Sequence, residues 1–358
     1  VYSTIDVTSN ILYGNNTSNT GASTDLELDF YEPNGDTSTA RPLVIWAHGG
    51  SFIGGSKTDG DVVTLSNRLA KKGFVCASIN YRLGIAFPFN QTNSTKAVLR
   101  GVQDMKAAIR FFYKDRKTAD TYKIDTTQIF IAGSSAGGLI SFHLAYLDKE
   151  CELEGYIAAS DVTALGGLEG NSGNPGYSTK IKGAIGLAGA LGSYGWIEVG
   201  DVPFCATHGT ADGTVPYNRG TVNVVGVGIM TIDGSRMMHE QAETIGLPNK
   251  FYSHYGAGHV PHASSAATMD TTEWFIRDFL VEQVGCSETA LQPENTPLQT
   301  STLYELTYCG LSISEINMEG VKSIYPNPSS DKIFIELTDV STVKEISDYW
   351  KTFQKFNK

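Results

Sequence analysis

The sequence predicts an α/β fold in which a mostly parallel central sheet is flanked by helices on both faces. Short apolar runs typical of buried strands recur along the chain, at residues 42–47, 74–79, 129–132, 181–187, 203–208 and 250–255. Segments with helical apolar periodicity separate these runs, at residues 59–72, 95–115, 136–147, 235–246 and 268–284. Parallel strands need such crossovers, and their carboxyl ends then meet at one edge of the sheet, where ligands bind.

Three other segments complete the main domain. In residues 26–31 apolar side chains alternate with Glu27, Asp29 and Tyr31, which predicts a half-buried edge strand. Residues 151–179 are rich in Gly and Ser and predict a long loop with at most one short helix. Residues 221–232 are unusually apolar for a connection.

The length of 358 residues fits one large domain with a small appendage. The composition changes near Cys286, where a polar, Pro-containing stretch begins. We therefore predict a catalytic domain over residues 1–285, a linker or wrap-around tail over 286–318, and a short extension over 319–358.

The net charge of −11 disfavours nucleic acid and anionic membrane surfaces as partners. No run approaches the roughly 18 apolar residues of a membrane span. The five cysteines include no Cys-x-x-Cys pair, and we expect neither a metal nor a cofactor. Nothing in the sequence indicates an oligomeric state.

Cys76 and Cys205 lie in apolar runs and are expected to be small buried residues. Cys286 and Cys309 flank the polar stretch, which predicts a disulfide between them. The alternative is two free thiols.

The apolar run 129–132 leads directly into Gly133-Ser134-Ser135-Ala136-Gly137, a Gly-x-Ser-x-Gly pattern followed by a predicted helix. The glycines permit a sharp turn, which would expose the Ser135 hydroxyl at the end of the strand. Ser135 is therefore the candidate nucleophile.

A serine nucleophile needs a base within hydrogen-bond reach. His259 is the candidate, because it lies in a Gly-rich loop just beyond the last predicted strand. His262 is the main alternative, whereas His208 lies within a strand and is expected to be a core histidine or one behind the site.

The base needs a group that orients it. Asp212 follows the strand 203–208 and is the candidate, although an Ala-Asp-Gly turn is a simpler explanation of its position. Asp161 and Asp201 are weaker alternatives. The chain order Ser135, Asp212, His259 is the order that this sheet architecture uses for Ser, acid and His.

An oxyanion needs N–H donors aimed at it beforehand. The amide of Ala136 is one candidate donor. The turn Gly49-Gly50-Ser51 follows the strand 42–47 and is expected to supply the others, with either Gly50 or Ser51 as the second donor.

Together, His48-Gly49-Gly50, Asn80-Tyr81-Arg82-Leu83, Gly133–Gly138, the Asp212 turn and Gly258-His259 resemble the α/β-hydrolases of the carboxylesterase/lipase type, over residues 25–284. Type-B carboxylesterases and hormone-sensitive-lipase-like esterases share this set. The resemblance implies a serine esterase that forms an acyl-enzyme, with a small-molecule or polymer-linked ester as its substrate. Ser51 departs from the third glycine of the lipase-like branch. No long helical cap is evident, so residues 151–179 and 221–232 are expected to wall an open site.

Two alternatives remain. A prolyl-oligopeptidase-type peptidase shares the Gly-x-Ser-x-Gly-Gly turn, but that family carries a propeller and a tyrosine oxyanion donor. A non-catalytic binding module on the same fold is the other.

Residues 323–330 (Ser-Ile-Tyr-Pro-Asn-Pro-Ser-Ser) resemble the start of the C-terminal secretion-sorting domain of Bacteroidetes-type exported proteins. The resemblance is partial, because such domains are longer. It implies a secreted protein, either released or retained at the cell surface, in which a Cys286–Cys309 disulfide could persist.

Overall fold

The computed structural model describes residues 2–224, 226–286, 294–295, 302–304 and 306, and the backbone of 321–325 and 334–337. The strands of the main unit are β1 Ile5–Thr17, β2 Ser23–Pro33, β3 Arg41–Ala47, β4 Val75–Ile79, β5 Ile124–Ser134, β6 Gly183–Leu187, β7 Ala190–Leu191, β8 Phe204–Gly209, β9 Arg219–Val224, β10 Val227–Gly234 and β11 Asn249–His254. The helices are α1 Gly60–Ala70, α2 Gln91–Lys117, α3 Ala136–Tyr146, α4 Ala159–Leu165, α5 Ser235–Ile245 and α6 Ala266–Gln283.

Eight strands form the central sheet, in the order β1-β2-β4-β3-β5-β6-β8-β11. All pairs from β4 to β11 are parallel, whereas β1 and β2 run antiparallel to their neighbours. The sequence prediction of a mostly parallel sheet is confirmed.

Strand β2 is not the edge strand that the sequence predicts. Its other side pairs with β1, so β1 is the edge. Strand β1 escaped prediction because nearly half of its residues are Ser, Thr or Asn and most of its residues are exposed, which weakens the alternation of apolar and polar side chains.

Helices cover both faces of the sheet, and successive strand residues enter opposite cores. In β3, Ile45 packs into the core beneath α2 and α3, while Trp46 packs into the core beneath α1 and α6. In β5, Ile131 likewise packs into the core beneath α2 and α3, and Phe130 packs into the core beneath α1 and α6. A sheet buried on both faces explains why its strands read as continuous apolar runs.

A second, smaller sheet lies beside the carboxyl edge of the central one. Strands β9 and β10 form a hairpin, and β10 also pairs with β7. This hairpin is the structure of the apolar segment 221–232. Residues 151–179 contain one short helix, α4, and one 3₁₀ turn (Glu150–Leu153), as the sequence predicts.

The described cysteines do not all follow the prediction. Cys76 and Cys205 are buried and free, as expected. Cys286 is also free, and it is exposed just beyond the end of α6, so the predicted disulfide from Cys286 is wrong. Cys309 lies outside the described residues.

The chain divides into two units, Val1–Leu306 and Thr307–Lys358. In the second unit, β12 (Val321–Tyr325) and β13 (Phe334–Leu337) pair antiparallel. Most of the predicted linker 286–318 lies outside the described residues. In the first unit, Asn295 bridges to Tyr252 beside β11, and residues 302–304 lie against the β9–β10 hairpin and α5. None of the described helices is long and apolar enough to cross a membrane.

Candidate active site

Ser135 lies on the sharp turn between β5 and α3. Its backbone has φ 54° and ψ −114°, a conformation that non-glycine residues rarely adopt, and its N–H donates to the Leu187 carbonyl at 2.8 Å. Gly137 makes the turn possible, because a Cβ there would lie 2.0 Å from the Ala47 carbonyl oxygen. The turn thus packs directly against the end of β3, which fixes the position of the serine.

His259 reaches Ser135 from the loop that follows β11. The Ser135 Oγ and His259 Nε2 are 2.7 Å apart. The His259 side chain is about one quarter exposed, at 23%. The imidazole can therefore accept the serine proton and still be reached from solvent.

Asp212 holds the other nitrogen of the same imidazole. Its Oδ2 lies 2.7 Å from His259 Nδ1, and its side chain is fully buried. Its Oδ1 accepts the backbone N–H groups of Thr214 and Val215 at 2.9 and 3.0 Å. Burial acts to raise the pKa of Asp212, but hydrogen bonds from His208 and His259 outweigh it and hold this pKa well below its usual range. The carboxylate therefore stays ionised beside His259.

His208 is a second histidine on this carboxylate. Its Nε2 lies 3.3 Å from Asp212 Oδ2, and its Nδ1 lies 2.9 Å from Ser235 Oγ. The ring is fully buried. The prediction of a histidine behind the site is confirmed.

His262, the alternative base, faces away from the Ser135 hydroxyl. Its Nε2 lies 3.0 Å from Ser134 Oγ and 3.2 Å from Asp61 Oδ2. Asp61 thus ties α1 both to the residue before Ser135 and to the segment just after His259. Burial acts to raise the pKa of Asp61, but hydrogen bonds from His262 and Ser134 lower it to about 2. Asp61 escaped prediction because nothing in its local sequence marks it.

The glycine turn after β3 lies beside Ser135. A Cβ on Gly49 would be 3.5 Å from the Ser135 Cβ. Gly50 has φ 101° and approaches Gly54 so closely that a Cβ would overlap its carbonyl oxygen. The structure brings the four predicted oxyanion residues to one place, since Ser51 and Ala136 line the cavity at Ser135. The Ala136 amide is at the start of α3, where helical N–H groups have no intrahelical acceptor.

His48 and Tyr81 brace this turn. The His48 Nδ1 is 2.7 Å from the Gly49 carbonyl oxygen, and burial lowers the pKa of His48. The Tyr81 ring stacks on His48 at 4.4 Å, and its hydroxyl donates to the His48 carbonyl at 3.0 Å. The turn is therefore held from both sides of its backbone.

The cavity at Ser135 is small and mostly apolar. Its walls come from the glycine turn, from α2 and α3, from the residues after Asp212, and from Val222, Val224, Ile229 and Met230 of the β9–β10 hairpin. The prediction that 221–232 walls the site is confirmed. Residues 151–179 are all described and none lines this cavity, so that half of the prediction is wrong.

The other carboxylates considered from the sequence have different partners. Asp161 forms an ion pair with Lys96 at 2.8 Å, and Asp201 accepts the backbone N–H of Glu198 at 2.7 Å. Within the described residues, no group of three or more His, Cys, Asp or Glu side chains is arranged to hold a metal ion.

Several known proteins are similar to part of this chain. A family model described as BD-FAE matches residues 28–165. Carboxylesterase 3B of Mus musculus is 35% identical over 117 residues, which are 32% of this chain and 19% of that protein. Esterase LipC of Mycobacterium tuberculosis is 32% identical over 114 residues, or 32% of this chain and 25% of that protein. The neuroligin-like protein glit-1 of Caenorhabditis elegans is 30% identical over 122 residues, or 33% of this chain and 16% of that protein. The chain thus spans a quarter or less of the length of these relatives.

Solved structures match over most of the chain. Thermogutta terrifontis esterase 2 phosphorylated by paraoxon is 21% identical with a TM-score of 0.56, covering 80% of this chain and 96% of that one. A truncated carbohydrate esterase from gut microbiota is 20% identical with a TM-score of 0.51, covering 79% and 96%. The chain has the α/β-hydrolase fold, which confirms the predicted fold class.

Proposed function

We propose that this chain is a serine hydrolase that cleaves carboxylic esters through an acyl-enzyme intermediate. The observation that carries the proposal is the continuous line of hydrogen bonds from Ser135 Oγ through His259 to Asp212, with both distances at 2.7 Å. The similarity to carboxylesterases supports an ester, rather than another acyl compound, as the substrate.

In the first half of the reaction, Ser135 Oγ attacks the ester carbonyl carbon while its proton passes to His259 Nε2. The carbonyl becomes an oxyanion. His259 then protonates the leaving alkoxide, and the alcohol departs. In the second half, water gives a proton to His259 and attacks the acyl carbon. Collapse of that intermediate returns the proton to Ser135 and releases the acid.

Asp212 keeps His259 in the productive tautomer. Its carboxylate accepts the Nδ1–H, so Nε2 presents a lone pair to the serine, and the negative charge stabilises the imidazolium that forms. The amides of Thr214 and Val215 hold the carboxylate in place.

The oxyanion is stabilised by backbone amides. We assign one donor to Ala136 and the others to the turn Gly49–Ser51, which lies against Ser135. Their positions are fixed before substrate binds, because the strained turn at Ser135 and the contacts of His48 and Tyr81 hold the backbone.

The test is hydrolysis of p-nitrophenyl esters from acetate to decanoate, beside a dipeptide anilide. We expect ester turnover that falls by about 10⁵-fold or more in Ser135→Ala. Ser141→Ala is the matched control, because Ser141 is a buried serine in α3 whose hydroxyl bonds only to the Ile131 carbonyl among the described contacts. No ester turnover by the unaltered protein rejects the proposal, and turnover of the anilide alone favours the peptidase.

The second candidate is a non-catalytic binding module, because one fold can carry both enzymes and binding proteins. The Ser135–His259–Asp212 line argues against it, because a binding surface has no need of an activated hydroxyl. The same assay separates the two.

We also propose that the protein is exported. The support is the resemblance of residues 323–330 to the start of a secretion-sorting domain. The test is to express the full chain in a host with the matching secretion system and to locate it by fractionation. Retention in the cytoplasm, together with export of a known cargo, rejects the proposal.

A further inference from the structure

Two small cavities lie on either side of Met230 and Val98. The first contains the Ser135 hydroxyl and has a volume of about 20 Å³. The second lies deeper, between α2, α3 and the 3₁₀ turn at Tyr194–Trp196, and has a volume of about 10 Å³. Met230 and Val98 line both cavities, so their side chains form the partition between them.

The volumes limit what the first cavity holds. A cavity of about 10–15 Å³ by this measure holds one water molecule, so the space at Ser135 holds one or two. That is room for one or two carbon atoms beyond the ester carbonyl, as in an acetyl or a propionyl group. A longer acyl chain meets the partition.

The lining of the second cavity suits an apolar acyl chain. Leu99, Leu153 and Trp196 contribute apolar surface. Two of its polar groups are already hydrogen-bonded, since the Tyr156 hydroxyl donates to the Gly192 carbonyl at 2.7 Å and His143 Nδ1 bonds the Leu139 carbonyl at 2.8 Å. A charged or hydroxylated chain would lose its hydration there and gain little.

A β-bulge aims Met230 into this position. In the β9–β10 pairing, Gly228 lies opposite Asn223 and Met230 lies opposite Val222, so Ile229 is an extra residue. Bulges re-aim side chains. Both Ile229 and Met230 consequently face the Ser135 cavity, although adjacent strand residues normally face opposite sides.

We propose that Met230 is the residue that limits this hydrolase to esters of short, apolar acyl groups, and that the cavity behind it is a latent extension of the acyl site. The inference rests on the proposed function. Methionine suits the role because its unbranched side chain fills irregular gaps.

The test is the acyl-length profile of Met230→Ala, measured as kcat/KM on p-nitrophenyl acetate, butyrate, hexanoate and octanoate. In the unaltered protein we expect kcat/KM to fall from acetate to butyrate and further for the longer esters. In Met230→Ala we expect the octanoate-to-acetate ratio to rise at least tenfold, because each newly buried methylene contributes about fourfold.

Met269→Ala is the matched control. Met269 is buried to a similar degree, at 7% exposure against 5% for Met230, but it packs in the core on the opposite face of the sheet. Its profile should match that of the unaltered protein. A second substitution, Leu153→Phe, refills the deeper cavity and should remove the gain of Met230→Ala.

A second series, methyl to octyl butyrate, varies the alcohol instead. We expect Met230→Ala to leave this series unchanged, and a shift confined to it would overturn the acyl assignment. The inference is also overturned if Met230→Ala keeps the original acyl profile, or if the unaltered protein already cleaves octanoate as well as acetate. If Met230→Ala does not fold, Val98→Ala opens the same partition and decides the question. No turnover of any ester by the unaltered protein would instead reject the proposed function.

Discussion

Ser135 holds a backbone conformation that opposes folding. Its φ of 54° with ψ of −114° costs on the order of 1–3 kcal/mol for a residue with a Cβ. Neither Ser135→Gly nor Ser135→Ala has the hydroxyl, but only glycine relieves this strain. We expect Ser135→Gly to exceed Ser135→Ala in free energy of unfolding by about 1 kcal/mol, even though glycine gains more chain entropy on unfolding. Urea denaturation measures the difference, and an alanine variant that is equally stable or more so contradicts it.

Asp61 positions both partners of the Ser135–His259 pair from behind. Asp61→Asn replaces one acceptor oxygen by an N–H group, so either His262, which bonds Oδ2, or the Val62 amide, which bonds Oδ1, loses its acceptor. We expect the free energy of unfolding to fall by about 1–3 kcal/mol and kcat to fall by about tenfold with KM little changed. Steady-state kinetics and urea denaturation measure both.

The control for this substitution is Asp270→Asn, because Asp270 is 42% exposed and also contacts α1, where it pairs with Arg68. Equal behaviour of the two variants would show that Asp61 has no positioning role.

At this scale the sequence predicts the residues that follow strands, and the structure brings Ser135, Asp212 and His259 together. The sequence cannot decide which of His259 and His262 reaches the serine, because these histidines are three residues apart and the choice depends on distances of an ångström or two. For the same reason it cannot predict the partners of His262. Whether His262 and Ser134 meet Asp61 depends on how α1 packs against the loop after β11, and no local sequence pattern records that packing.

Helix α3 carries a histidine that makes the fold sensitive to acid. Burial lowers the pKa of His143 to about 4, against about 6.5 in an unfolded chain. Between these values the unfolded chain binds a proton that the folded chain lacks, so stability falls as the pH falls from 6.5 towards 4.

Lowering the pH from 7.5 to 5 should reduce the free energy of unfolding of both proteins. We expect this reduction to be smaller in His143→Asn than in the unaltered protein, by about 2 kcal/mol. The asparagine amide can still donate to the Leu139 carbonyl, as His143 Nδ1 does. Urea denaturation at the two pH values measures the loss. Equal losses in the two proteins would rule out His143 as a source of acid sensitivity.

Elements with strong periodicity were predictable, and those defined by pairing were not. Helix α2 and strand β3 follow from their apolar patterns. The β9–β10 hairpin does not, because its apolar residues face the Ser135 cavity and its bulge breaks the alternation of a strand. An apolar segment that lines a site looks the same in sequence as one that lines a core.

At the scale of the whole molecule, residues 302–304 contact the β9–β10 hairpin, which forms one wall of the Ser135 cavity. The Tyr304 ring lies 4.3 Å from the Arg219 guanidinium, and its hydroxyl donates to the buried Asp233 carboxylate at 2.7 Å. Arg219 begins β9 and Asp233 lies near the end of β10. The segment therefore secures the base of the hairpin, far along the chain from the residues that it contacts.

We expect Tyr304→Ala to accelerate amide hydrogen exchange in β9 and β10 by more than tenfold, because it removes a cation–π contact and a hydrogen bond to a buried carboxylate. Exchange in β3 and β5 should not change. Tyr177→Ala is the control, since Tyr177 contacts Lys117 instead. Unchanged hairpin exchange would show that the segment does not secure the wall.

Synthesis runs from the amino terminus, so residues 302–304 leave the ribosome after every residue that lines the Ser135 cavity. A nascent chain that has just passed His259 would possess the serine, the imidazole and the carboxylate, but its hairpin would lack the Tyr304 contacts. The wall of the acyl site would therefore lack its contacts at Arg219 and Asp233 until residues 302–304 have been made.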